Sequence, residues 1–385
     1  GITRLAIQPW PDRIKNWLVG GEIMMWVPYG RERRLQFLAE QAFAQAWSRA
    51  TANSDISQSG PTALLLGAPE IIRPGYRFPP KGFDAPGWLK QLGIASIGRC
   101  EILPYGAASA QVALQRANQI LESGIAGSCI IGVADTHWHI RVTRWHENNY
   151  RLKCGYLTDG LMPGEAVCFL VVEKGQMART RGASILALIQ AASVSREKAT
   201  VLSDQPNTAK GLTDVVRASL REAGILAKDI GTVWSDLNGE SYRAREWAFT
   251  EIRCGFQTHT ELMHPADCHG DLGAASDANL LGLAVMAQAS GWAQVKPSLV
   301  FAGSEDGVRA ATVITAPGGK SPVFQVSNRL PRVFADRFDL PTLGVDDENY
   351  EESEDPPRAY FDWNLRQEHL EEIAAIYNQR KTILS

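Results

Sequence analysis

Apolar residues along the chain gather into short runs of strand length, separated by longer stretches with helical spacing. Residues 62–67 read TALLLG, a continuous apolar run of the kind that forms a strand buried on both faces. Residues 129–133 (CIIGV) and 167–173 (VCFLVVE) predict two more strands, and residues 185–191 a fourth. Between them, residues 107–122 predict a helix whose apolar positions include Val112, Leu114, Ile120 and Leu121. In the second half, residues 212–222 predict a helix that stops near Gly224, and residues 231–234 a strand that runs into Asp236. Residues 274–289 are apolar and Ala-rich on every side, which predicts a helix without a solvent face. Residues 299–301 and 311–315 predict the closing strands. The alternation is that of an α/β protein. Both halves share a coarse order of strands and apolar helices, which hints at a duplication.

Beyond Pro317 the pattern changes. Residues 338–357 hold eight carboxylates and no basic residue, which predicts an extended, hydrated linker. Residues 361–381 return to helical spacing, with Leu365, Leu370, Ile373, Ile376 and Tyr377 on one broad face. The chain is therefore expected to divide into an N-terminal half (1–180), a C-terminal half (181–317) and an extension (318–385). Two readings stand for the acidic stretch, a plain solvated linker or a site for a basic partner. The helix after it needs cover, either from its own body or from another protein.

With 45% hydrophobic and 21% charged residues over 385 positions, the chain is neither disordered nor of low complexity. Lys and Arg number 39 against 42 Asp and Glu, a net charge of −3 that supplies no drive toward nucleic acid or an anionic membrane. No run approaches the roughly 18 apolar residues that would cross a bilayer. No basic-then-apolar start marks a signal peptide. The six cysteines, Cys100, Cys129, Cys154, Cys168, Cys254 and Cys268, contain no CxxC. Free thiols in a reducing cytoplasm are expected, with Cys100, Cys129 and Cys168 as core residues.

Common catalytic signatures are missing. There is no GxGxxG after a strand, no GxSxG and no HExxH. Gly319-Lys320-Ser321 resembles the end of a phosphate loop, but Ile314 stands where its first glycine belongs. Three stretches carry a different pattern. One is Gly106-Ala107-Ala108-Ser109-Ala110-Gln111, followed by Ala117, Ile120 and Gly124. Another runs from Cys129 to Asp135-Thr136, with Thr158-Asp159-Gly160-Leu161-Met162-Pro163-Gly164-Glu165-Ala166 after it. The third is His269-Gly270-Asp271-Leu272-Gly273-Ala274-Ala275-Ser276. In this order and with these gaps, residues 64–315 resemble the thiolase superfamily, and within it the β-ketoacyl synthases. The D-G-x-x-P-G-E-A run is the most specific part.

That resemblance implies a five-layered α/β/α/β/α fold built from two pseudo-repeats with mixed sheets. It implies a homodimer whose nucleophile strands pair across the two-fold axis, and no cofactor or metal. Active members receive an acyl group from acyl-CoA or an acyl carrier protein on a Cys at a helix start, where the helix terminus favours thiolate and oxyanion. Two His residues assist. Here Ala107 falls on the Cys position, or Ala108 if the register slips by one. The stretch matching the first His is Ser235-Asp236-Leu237-Asn238-Gly239-Glu240. The second His aligns with Gly270, and His269 precedes it by one. The family's closing F-G-G-T-N turn becomes Phe301-Ala302-Gly303-Ser304-Glu305, which makes Gly303 and Ser304 the expected ligand-side positions.

Four further groups carry candidate chemistry beside plainer roles. Ser109 is a candidate nucleophile if His269 serves as its base, against a packing role at the helix start. His137, His139, His146 and Cys154 are candidate metal ligands, against polar residues on the outer turns of a helix that Asp135 caps. Asp236, Asn238 and Glu240 with Arg243 and Arg245 form either an acid/base site or an ion-paired turn. Asp271 either takes part in chemistry or anchors the turn before a helix.

All three catalytic positions are altered while the fold's landmarks remain. The expected function is therefore a catalytically inactive thiolase-like scaffold for binding. It is similar to thiolase-like accessory proteins encoded beside type VI secretion effectors, which would make it an adaptor with a protein partner on its 318–385 extension. The alternative is an acyltransferase with relocated catalytic residues among His269, Asp236 and Asp271, or a pocket-shaping subunit of an active synthase.

Overall fold

The computed structural model describes residues 3–11, 17–23, 31–75, 77–94, 96–290 and 296–318. The acidic stretch and the helix expected at 361–381 lie outside the described residues. A two-stranded hairpin comes first, β1 (Thr3–Pro11) with β2 (Trp17–Ile23). The N-terminal half then runs α1 (Arg31–Thr51), β3 (Thr62–Gly67), α2 (Ala85–Gln91), β4 (Ile97–Leu103), α3 (Ser109–Glu122), β5 (Ser128–Thr136), α4 (Ile140–Asn148) and β6 (Glu165–Glu173). After α5 (Gly175–Thr180) come β7 (Leu188–Arg196), α6 (Lys210–Ala223), β8 (Thr232–Ser235), α7 (Ser241–Cys254), β9 (Glu261–Met263), α8 (Ala266–His269), α9 (Ser276–Ser290), β10 (Ser298–Gly303) and β11 (Val308–Thr315).

The strand order shows the internal repeat. One sheet is ordered β4-β3-β5-β6, the other β9-β8-β10-β11-β7. In each, a central strand pairs in parallel with two neighbours, and the last of the common four runs antiparallel. The apolar runs of β3 and β5 are buried along their whole length because helices cover both faces. Helices α3 and α9 form the layer between the sheets, in one core with Leu65, Ile131, Trp234 and Val300. On the outer face of the first sheet α1 and α2 pack through Leu35, Phe43 and Trp88. On the outer face of the second, α6 and α7 pack through Val216 and Trp247. This is the five-layered α/β/α/β/α arrangement.

Helix α9 has no exposed residue over 276–289, as its uniform composition predicts for a central layer. Helices α6 and α7 each end in a left-handed glycine, Gly224 and Gly255. The expected strand at 185–191 is corrected to Leu188–Arg196. It is an edge strand among the described residues, and Gln190, Ser193, Ser195 and Arg196 interrupt its apolar residues, so it reads as loop. No helix among the described residues is long and apolar enough to cross a membrane.

Candidate functional site

Strand β4 passes into α3 through a 3-10 turn, Gly106–Ala108. The sharp bend falls on Gly106, whose φ of +51° lies in the region that favours glycine. Ala107 and Ala108 follow it, both buried. A Cβ built on Gly106 would land on the Glu70 carboxyl. The space beside the turn is thus already filled, by a side chain from the loop after β3.

That loop is turned inside out. Glu70 and Arg73 point inward and are buried, while Ile71 and Ile72 between them face solvent. The Glu70 carboxyl accepts the Glu305 backbone N–H at 2.9 Å. Burial raises its pKa to about 7, the Glu305 carboxylate adds to the rise, and Arg73 offsets part of it. Arg73 donates to Asp135 Oδ2 at 2.7 Å and to His137 Nε2 at 2.9 Å. A guanidinium can only donate, so the His137 proton sits on Nδ1.

The second half repeats the device. Gly273-Ala274-Ala275-Ser276 matches Gly106-Ala107-Ala108-Ser109 residue for residue. It too forms a 3-10 turn before a helix, with φ of +56° at its glycine. A Cβ on Gly273 would land on the Asp135 carboxylate, which accepts the Ala274 N–H at 2.7 Å. Each turn therefore has a carboxyl group seated in its bend, Glu70 from the loop after β3 and Asp135 from the end of β5. The start of α3 is further capped by Asp277, the second residue of α9, which accepts the Gln111 N–H at 2.8 Å.

The remaining expected residues lie around this centre. Ser109 is fully buried; its hydroxyl accepts from Tyr105 N and sits 3.1 Å from the carbonyls of Ala68 and Leu103, tying the turn to β3 and β4. Asp236 pairs with Arg243 and accepts the Gly303 N–H at 2.7 Å. Asn238 donates to Asp271 at 2.6 Å and to Glu240 at 2.9 Å. Glu240 is held by Arg151 at 2.7 Å, and Arg151 reaches on to Glu305 at 2.6 Å. Arg245, placed beside these residues by sequence, is exposed on α7. Asp271 accepts the Gly273 N–H at 2.8 Å. Burial alone would raise its pKa, but the His137 imidazole, Arg243, the Asn238 amide and that N–H outweigh it and hold it below the usual carboxylate range.

Gly270 has φ of +78°, and a Cβ there would stand 2.6 Å from the Pro163 carbonyl. No side chain fits at the position aligned with the second His. His269 is half-buried, with Nδ1 2.8 Å from the Gly270 carbonyl and Nε2 3.0 Å from the Asn279 amide. Burial lowers its pKa, so the ring is neutral at pH 7. It lines a cavity of about 20 Å³ with Asp236, Asn238, Asp271, Ser276 and Asn279, room for a single water molecule. Gly303 and Ser304 close the β10–β11 turn. The Ser304 hydroxyl accepts Val308 N at 2.8 Å, and Arg309 donates to the Ser304 carbonyl at 3.0 Å.

Two expectations are corrected. Asp135 caps no helix: it ends β5 and binds Arg73 and the Ala274 turn. It is His139 that caps α4, accepting Arg141 N at 3.2 Å. His137 and His146 do not lie on outer turns but are buried, their ring centroids 4.8 Å apart. Among the described residues no group of three His, Cys, Asp or Glu could hold a metal ion. The six cysteines are unpaired, and burial pushes the Cys129 and Cys168 thiols up to about 12, far from reactive values.

Sequence reasoning missed Glu70, Arg73, Arg151 and the Arg309–Glu246 pair at 2.9 Å. One signal was available. The repeated Gly-Ala-Ala-Ser marks two equivalent turns, and charged residues flanking Ile71-Ile72 beside a buried strand mark an inverted loop.

No family model matches the chain, and no curated protein matches it. Solved structures do. A Streptomyces albus oxazolomycin ketosynthase domain is similar at TM-score 0.59 and 13% identity, over 81% of this chain and 66% of that one. The ketosynthase from module 6 of the Bacillus subtilis bacillaene synthase matches at 0.59 and 13%, over 72% of this chain and 59% of that one. This chain thus spans less than two thirds of the length of either. A type II acyl-carrier protein complex with its ketosynthase matches at 0.66 and 16%, over 82% and 93%. At these identities the likeness is one of fold: the chain has the ketosynthase fold.

Proposed function

We propose that this chain keeps a ketosynthase fold for binding and has no thioester chemistry of its own. The observation that carries this reading is the turn itself: Ala107 offers no nucleophile where active synthases carry a Cys, and the Glu70 carboxyl is packed against the neighbouring Gly106. The small size of the cavity beside His269, about 20 Å³, supports it. An acyl thioester requires far more. In this reading the protein is an adaptor for a protein partner such as a secretion effector, and the extension 318–385 contributes to holding that partner. It acts as a homodimer. Strand β4 is the outer strand of its sheet among the described residues, with Ile102 exposed and Arg99 beside Glu101. Antiparallel pairing of two copies centred on Cys100 would set each Arg99 against the other Glu101.

The test is incubation of the full chain with labelled acyl-CoA and with an acylated carrier protein, read by intact mass and product analysis. No adduct and no condensation are expected. The competing reading, acyl transfer by relocated residues, rests on His269, whose ring lines the cavity with Asp236 and Asp271. An adduct or turnover that disappears in His269→Ala would establish that reading and overturn the proposal.

A further inference from the structure

Tyr150 stands just past α4 with φ of +53° and is 70% exposed. Glycine or asparagine is usual in that conformation; a bulky aromatic there is strained. The backbone has no choice, because the next residue is anchored. Arg151 N–H binds the His146 carbonyl at 2.9 Å, and its guanidinium is buried against Glu240 and Glu305. The fold dictates the bend, but among the described residues nothing is seen to bind the ring that the bend displays. Strain of this kind is retained where a side chain serves something outside the molecule.

The surroundings match. The Tyr156 hydroxyl is fixed to Glu147 at 2.9 Å, leaving its ring 41% exposed. Tyr150 N–H is 3.1 Å from the Glu147 carbonyl, so both aromatics rise around one residue. Trp145 is half-exposed on the outward side of α4, its ring edge-on to His146. Arg141, one turn before Trp145 on α4, and Lys153, in the loop after α4, are exposed. The one acidic residue of α4, Glu147, is buried and bound to Arg144 at 2.7 Å. Rigid amphipathic rings rimmed by positive charge are the composition of a protein-binding surface.

We propose that Tyr150, Tyr156, Trp145, Arg141 and Lys153 form a docking surface for an acidic protein partner, with Tyr150 as its anchor. The surface lies on α4 and the loop after it, and its role does not depend on whether the His269 cavity performs any chemistry.

The experiment uses the full chain and a fluorescent glutamate–tyrosine (4:1) copolymer as an acidic polypeptide, followed by anisotropy. Wild type should bind, and more weakly as salt rises. Tyr150→Asn, which suits the left-handed bend, should weaken binding at least tenfold while leaving the thermal midpoint equal or higher. Lys153→Glu should weaken it similarly, and Arg245→Glu on α7 should leave it unchanged. No binding by wild type, undiminished binding by Tyr150→Asn, or a lowered midpoint in that variant would overturn the proposal. So would tighter binding of a single-stranded oligonucleotide, which would make the surface one for nucleic acid.

Discussion

Glu70 ties the chemistry of the centre to pH. Unfolded, its carboxyl titrates near 4.5; folded, at about 7, raised mainly by burial. Between these values the folded state holds the extra proton. The group's contribution to stability is complete below pH 4.5 and is lost as pH rises through 7. Glu70→Gln should remove this loss, gaining up to about 3 kcal/mol on wild type at pH 8.5 and little at pH 5 in urea unfolding. An equal difference at both pH values would show that Glu70 does not titrate in this range. Gly270 tests the other half of the site. Gly270→His forces a Cβ against the Pro163 carbonyl at φ of +78°. The variant should lose more than about 2 kcal/mol and gain no condensing activity. A stable variant with turnover would mean the loop moves freely.

Among the elements, β6 is held to α1 by a buried fork: Arg34 binds both oxygens of Glu165 at 2.7 Å, and Thr136 donates to the same carboxylate at 3.0 Å. Glu165→Ala leaves the guanidinium buried without its counter-charge and should cost about 3–5 kcal/mol. A loss below about 1 kcal/mol, measured by denaturant melts, would mean that water replaces the carboxylate. The same elements show what was legible in the sequence. Runs such as residues 62–67 were plain because a strand covered on both faces is apolar throughout. Helix α9 was plain for the same reason. Strand β4 (IGRCEIL) and helix α7 were not, since each carries charge on a partly exposed face and Arg243 and Glu246 turn inward only as ion pairs. The centre was half legible. Its alanine turn could be read from the sequence, whereas Glu70, packed against Gly106, comes from a distant loop whose only signal is the charged pair flanking Ile71-Ile72.

For the molecule as a whole, the two sheets and the helices between them bury one shared core, and the described residues end at Gly318. Removing residues 318–385 should leave a folded body with a thermal midpoint within about 2 °C of the full chain, while partner recovery falls. A body that unfolds on truncation would make the extension part of the fold. Another consequence concerns the β1–β2 hairpin. Its Gly21 N–H is bound by the Pro163 carbonyl at 2.8 Å, the Trp138 indole binds the Gly21 carbonyl at 2.7 Å, and a Cβ on Gly21 would strike the His269 carbonyl. All three partners are translated well after the hairpin. During synthesis it must wait through most of the second half before its seat exists. The segment made early thus completes its docking late, and until then its edges are exposed to chaperones and proteases.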